Sequence, residues 1–376
     1  MPKISNRTRN QSRLRSSEET LERQKKCEQA LRKRAEPTFW NKWAEPMACG
    51  FIGFLFVSMI YYSWTGDRRK PKDVQVNDET RIEFVNNQKF GFQLGHVEFF
   101  EGRNLQDVMD MTNNLFAQDK KVAKCVYSDL EQEAGRAEQF NFYQRFPNCR
   151  SANTVSSGVS LGYAEAVSFV IEERDCARSN GNSRFAPSAA HLSACDRGNM
   201  GDKGGSMKET LEFLKKEGGV DSECYAKEVS GSECPPLKDL EALCPRKKIE
   251  NLCMVNSIET IKQEIATHGP VLAVIPAYMN LLTYKSGILK LEEHSRKVTG
   301  HLAVKIVGWE VRGEGEEVWV VDMMFGPDHG ENGLAYIGMV HNEEFGDYGL
   351  GVRLLPEEDE GSEDKQSDQK EEQAQE

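Results

Sequence analysis

Several features that would narrow the chemistry of this 376-residue chain are missing from it. No Cys-x-x-Cys pair occurs and no pair of histidines accompanies a cysteine, so no metal site is expected. No internal repeat is visible, which excludes a solenoid or propeller made of copies. An overall basic surface is lacking: net charge is −12, and no nucleic-acid partner is expected. No motif calls for a cofactor. Apolar content is modest, with a mean hydropathy of −0.61. One apolar stretch stands out, Met47 to Trp64, which contains no charged residue.

That stretch, 47–64, reaches roughly 27 Å as a helix, enough for a thin bilayer. Trp40, Trp43, Tyr61, Tyr62 and Trp64 bracket it as interfacial anchors would. A removable signal peptide has a shorter leader and a shorter apolar core. A buried core helix is opposed by the basic flanks on both sides. A single signal-anchor helix is therefore expected, joining the chain to a membrane. Residues 1–46 read as a basic cytosolic arm, with a polar helix over Ser17–Ala35 and Arg32-Lys-Arg34 near the headgroups. Lys and Arg nearly balance across the anchor, so charge alone leaves orientation open. Cysteine decides it. Cys125, Cys149, Cys176, Cys195, Cys224, Cys234, Cys244 and Cys253 all follow the anchor, an even set that suits an oxidising compartment. A type II protein is expected, its C-terminal part lumenal or extracellular, in the secretory or endolysosomal pathway or at the cell surface. The tripeptides at Asn6 and Asn10 then face the cytosol and stay bare. Residues 65–81 form a polar spacer. Residues 356–376 are an acidic run too polar to bury a core, and are expected to be disordered.

Between spacer and tail the pattern runs from helices to strands. Leu161–Asp175 has helical apolar spacing through Ala164, Val167 and Ile171. Ser206 and Glu209 predict a capping box for a helix to Lys216, stopped at Gly218-Gly219. Ser257 predicts another helix, ended at Gly269-Pro270. Val271–Ile275, Leu302–Val307 and Val318–Asp322 then read as strands. The class is α+β.

Four segments carry a resemblance: Phe92-Gln-Leu-Gly-His-Val97, Tyr143-Gln-Arg-Phe-Pro-Asn-Cys149, Asn153-Thr-Val-Ser-Ser-Gly-Val-Ser-Leu-Gly-Tyr163, and Trp319-Val-Val-Asp-Met-Met-Phe-Gly-Pro-Asp-His-Gly-Glu-Asn-Gly333. Together they resemble the papain-like cysteine proteases of the cathepsin B type, over about residues 82–355. The resemblance implies a papain-like two-lobe fold, a helical lobe plus a β-barrel-like lobe, behind the single transmembrane helix. Residues 82–138 would be a pro-segment-like region and linker, and 139–355 the papain-like domain. It also implies disulfides Cys149–Cys176 and Cys195–Cys234. The pairing of Cys125, Cys224, Cys244 and Cys253 stays open.

The catalytic positions of that family are altered. Ser160 stands where the reactive cysteine would be, and a serine hydroxyl is too weakly acidic for a helix terminus to ionise. Counting seven residues back from Trp309 puts Leu302 in the histidine's place, with His301 beside it. On a strand a one-residue shift reverses the face, so His301 serves only if a bulge adds a residue. Met323 replaces the asparagine that orients the histidine, and Thr154 the glutamine that donates to the oxyanion. A family disulfide is also lost, through Ser157. Gly204-Gly205 resembles the family's contact with substrate backbone. The expected function is a membrane-anchored pseudoprotease that binds a protein or peptide in its cleft. The alternatives are a hydrolase with Ser160 as nucleophile and His301 as base, or a structural disulfide-stapled ectodomain.

Overall fold

The computed structural model describes residues 70–112, 122–151, 162–228, 233–236, 240, 242, 244–291, 295, 297–339, 345 and 348–356. The expected arm, anchor and tail lie outside the described residues, as do Thr154, Ser157 and Ser160. No helix among the described residues is long and apolar enough to cross a membrane.

The first described part is an arm laid on the rest. Helix α1, Glu79–Asn87, starts where the Asp78 carboxylate accepts the Arg81 N–H. Asn86 then grips the next strand from both sides, donating to the Leu94 carbonyl at 2.9 Å and accepting the Leu94 N–H at 2.8 Å. That strand is β1, Phe92–Leu94. Helix α2, Leu105–Thr112, is opened by reciprocal bonds between Asn104 and Asp107. After a gap, α3, Asp129–Ala134, begins with a capping box between Ser128 and Glu131.

The helical half is built on α4, Gly162–Arg178, in place of the helix expected over Leu161–Asp175. Its described side chains are buried on nearly every side, as befits a helix held between two layers. Helix α5, Ala189–Cys195, and α6, Met207–Lys216, pack near it, with Leu192, Leu211 and Leu214 fully buried. The capping box expected at α6 does not form. The Ser206 side chain makes no cap bond, and its N–H donates to Asn199 Oδ1 at 2.7 Å, while Glu209 meets Lys208 instead. Tertiary demand at Asn199 overrides the local motif there. A short pair, β3 (Gly219–Val220) with β4 (Arg246–Lys247), closes this half.

The other half is a sheet. Short β2, Phe140–Asn141, joins its long strand β8, Lys297–Arg312. Its remaining strands are β5 (Ile249–Val255), β6 (Val271–Tyr278), β9 (Glu316–Asp322), β10 (Leu334–Gly338) and β11 (Gly349–Leu354). The order is β10-β9-β8-β6-β11-β5, antiparallel throughout. Between β5 and β6, α7 (Ile258–His268) begins at the Ser257 capping box and ends at Gly269, φ +104°. Strand β7, Tyr284–Gly287, leaves the sheet and pairs with β1 of the arm.

Two cores result. One is the sheet's own, containing Ile275, Leu302, Val304, Ile306, Trp309 and Trp319. The other surrounds α4 and includes Val167, Ile171, Leu211, Leu272 and Leu350. An α+β architecture with a helical and a β half is therefore present. Arg174 of α4 clamps the halves together. It is 2 % exposed, meets Glu264 at 2.7 Å and donates to the carbonyls of Gly269, Pro270 and Val352. Burial opposes the charge on Glu264, but Arg174 and Arg353 outweigh it and hold the carboxyl at about 2.

Four disulfides staple this unit: Cys149–Cys176, Cys195–Cys234, Cys125–Cys253 and Cys224–Cys244. The last two resolve the pairing that the sequence left open. Closing a loop of 27 residues, as Cys149–Cys176 does, stabilises by about 3–4 kcal/mol through the unfolded chain's lost entropy.

Candidate functional site

The expected catalytic positions among the described residues lie on β8 and at the end of β9, where the sheet meets α4. The alternation of β8 decides what faces it. Leu302, Val304 and Ile306 belong to the sheet core. Ala303 packs on the helical core, and Lys305 reaches Glu173 of α4 at 2.6 Å. In the ladder with β6, His301 pairs with Pro276, Ala303 with Val274 and Lys305 with Leu272, so these three share the face toward α4. His301 is exposed on that face, whereas Leu302 is 9 % exposed and turned into the sheet.

A bulge explains the face. Against β9, Ile306 opposes Val321 but Gly308 opposes Val320, which leaves Val307 as an extra residue. Trp309 thus returns to the sheet core three residues after Ile306, an odd step that an unbroken strand does not allow. Counting seven residues back from Trp309 assumed no such insertion. A bulge thus lies in β8 between His301 and Trp309, and Leu302 is packed in the sheet core.

At the end of β9 the position of the expected orienting asparagine carries a methionine. Met323 is 1 % exposed and packed in the sheet core. A thioether is at most a weak acceptor. Asp322, the neighbouring carboxylate, is committed elsewhere. It accepts the Tyr143 hydroxyl and the Met324 N–H, each at 2.8 Å, and lies 3.4 Å from Lys305 Nζ and 3.7 Å from Arg150. Burial works against its charge, yet Lys305 and Arg150 hold the carboxyl below its usual range. Glu173 shares the same ammonium, but burial prevails there and raises its pKa. Lys305 stays charged, since two carboxylates offset its desolvation and raise its pKa. Met324, at φ +60°, turns the chain out of β9.

The arm covers these positions. Phe325 stacks on Phe99 with centroids 4.9 Å apart and meets the edge of Phe100 at 5.0 Å. The Glu98 N–H donates to Asp328 at 2.6 Å. Behind Phe325, buried His329 contacts the Leu281 carbonyl at 2.8 Å, and burial lowers its pKa to about 4. At the other end of the groove α2 presses on β8. Gly300 has φ +100°, and a Cβ there would lie 2.5 Å from the Thr112 carbonyl. The residue next to His301 therefore has to be glycine for the arm to seat.

Gly204 and Gly205 are held by a network. Gly204, at φ +105° and ψ 177°, adopts a backbone open essentially to glycine alone. A Cβ at Gly205 would come within 2.6 Å of Asn199 and 2.8 Å of Tyr163. The Asn199 amide donates to Asp196 at 2.7 Å, Thr210 at 2.9 Å and the Ser206 carbonyl at 3.2 Å. Tyr163 of α4 donates to the Gly201 carbonyl at 3.2 Å. Hydrogen bonds thus fix this loop. Asn199 and Lys305 were not singled out from the sequence. Lys305 did leave a signal, as a lone charge inside the apolar run Leu302–Val307; Asn199 left none.

Residues 159–351 match the family model described as papain family cysteine protease. Among curated relatives, "Cathepsin B-like CP1" of Giardia intestinalis is 28% identical over 211 residues, 54% of this chain and 69% of that protein. "Cathepsin B" of Dictyostelium discoideum is 25% identical over 220 residues, 53% of this chain and 68% of its own length. Among solved structures, procathepsin B S9 from Trypanosoma congolense superposes with a TM-score of 0.65 at 21% identity, covering 75% of this chain and all 100% of that one. Digestive procathepsin L 3 of Tenebrio molitor gives 0.59 at 15% identity, covering 74% and 90%.

Proposed function

This chain belongs to the papain family of cysteine proteases, and from that membership we propose that it is a membrane-anchored pseudoprotease, a protein- or peptide-binding module whose groove is held by its own arm. The observation that carries this reading is at the end of β9. Met323 is buried in the sheet and Asp322 is spent on Lys305, Arg150 and Tyr143, so the position of the family's orienting asparagine carries no amide and the neighbouring carboxylate has other partners. A serine at position 160 needs such a base more than a cysteine does. With one member of a catalytic set removed, most of the acceleration is lost. The extended Gly204-Gly205 backbone remains suited to pairing with an unfolded segment of a partner. Four disulfides support a lumenal or extracellular domain.

One observation favours a second reading. His301 shares with Lys305 the face of β8 that meets α4, which favours it over Leu302 as a candidate base. On that reading the chain is a hydrolase with Ser160 as nucleophile. Fluorophosphonate labelling of the full-length protein separates the two. The pseudoprotease reading expects no adduct at Ser160 and peptide turnover equal to that of Ser160→Ala. A stoichiometric adduct that vanishes in both Ser160→Ala and His301→Ala would replace it with the hydrolase.

A further inference from the structure

The arm is joined to the domain twice, once by backbone and once by sulfur. Cys125 lies upstream of β2, where the sheet begins, and its partner Cys253 is in β5, 128 residues on. Around this bond the chain adds to the outer edge of β5. The Cys125 N–H donates to the Met254 carbonyl at 2.9 Å, and the Met254 N–H to the Ala123 carbonyl at 2.8 Å. Residues 126–139 then cross the outside of α7. Tyr127 donates to Glu264 at 2.7 Å and His268 meets Glu131 at 3.1 Å. The outer surface of this stretch is open all the same. Val126 and Leu130 are 86% and 85% exposed, and Arg136 to Gln139 are exposed as well.

We propose that the Cys125–Cys253 bond retains the arm after any cut between residues 126 and 139, so that nicking yields a two-chain molecule with its groove still covered. Apart from this bond the arm is held by non-covalent contacts: the three-residue β1–β7 ladder, the Phe99 and Phe100 contacts with Phe325, the bonds of Arg81 to Asn280 and Thr283 and of Glu98 to Asp328, the seat of α2 on Gly300, and apolar side chains between Val74 and Val108 buried in the sheet's core. Such contacts are reversible, so once the backbone is cut they hold the arm only while its concentration exceeds their dissociation constant. A short tether keeps the arm at an effective concentration on the order of millimolar, far above any working concentration of the protein. The side of Cys125 on which the cut falls decides the outcome: a cut upstream frees the arm, a cut downstream does not. A domain nicked downstream also stays attached to whatever residues 1–125 are anchored in. None of this depends on whether the domain binds or hydrolyses.

The test places the recognition sequence of a site-specific viral protease between exposed Glu138 and Gln139 of the full-length protein. After cutting, a denaturing gel without reductant is expected to show one species of full mass, and dithiothreitol to split it in two. At nanomolar protein, amide exchange over Tyr284–Gly287 in the cut, oxidised protein stays within about twofold of the uncut one. In the cut Cys125→Ser, Cys253→Ser protein it rises by about tenfold or more. A second variant, cut between Asp119 and Lys120 with both cysteines intact, is expected to lose the arm and needs no cysteine replacement to fold. Two bands without reductant, or equal loss of protection in the oxidised protein cut at 138, would overturn the proposal.

Discussion

Lys305 sits 1 % exposed in the wall between the halves, 2.6 Å from Glu173 and 3.0 Å from the Tyr143 hydroxyl. Its ammonium offsets two buried carboxylates at once, and Arg150 helps only with Asp322. Replacing it with methionine preserves volume but leaves Glu173 and Asp322 facing each other in a dry site. Lys305→Met is therefore expected to cost roughly 3–5 kcal/mol in urea unfolding, and adding Glu173→Leu to recover part of that loss. No loss in the single variant would mean that water reaches the cluster. At the same scale the residue types at Ser160 and Met323 are read from the sequence alone, because identity decides whether a side chain can ionise or accept a hydrogen bond. Where His301 points was not legible, because that depends on a bulge six residues away.

The elements that cover the groove come from the arm, and the arm depends on aromatic contact more than on its short ladder. Phe99 stacks on Phe325 and carries the Arg103 guanidinium 4.5 Å above its ring. Aromatic pairs of this kind contribute about 0.5–1.5 kcal/mol beyond the area they bury. Phe99→Ala is expected to speed amide exchange in β1 and β7 about tenfold, while Val304 to Ile306 in the middle of β8 exchange as before. Uniform acceleration across both would show that the arm and the sheet open as one unit. The helices and strands themselves were largely visible in the periodicity. Ser257, Gly269 and Pro270 bound α7 as their chemistry requires. Ser206 did not cap α6, since Asn199 had a stronger claim on its backbone.

For the molecule as a whole, two buried histidines tie stability to pH. Burial lowers the pKa of both His191 and His329 to about 4. Unfolded, each titrates near 6.5, so the unfolded chain takes up protons first as pH falls. Their contribution is complete above about pH 6.5 and declines toward pH 4, by roughly 1.4 kcal/mol per pH unit for each histidine. The urea midpoint is thus expected to drop between pH 7 and pH 5. His191 packs between Phe213 and Tyr225, so His191→Phe is expected to remove its share of that drop, with His329 and the half-buried His268, whose pKa burial also lowers, keeping the rest. An unchanged slope would show that His191 is already charged in the folded protein. At this scale the chain order of helices and strands determined the class and the two halves, because periodicity and residue type act locally. Only the folded chain decided which way His301 faces, what Asp322 is spent on, and that Cys125 reaches Cys253. Each of those requires segments more than a dozen residues apart to meet, and such meetings are set by packing rather than by neighbours along the chain.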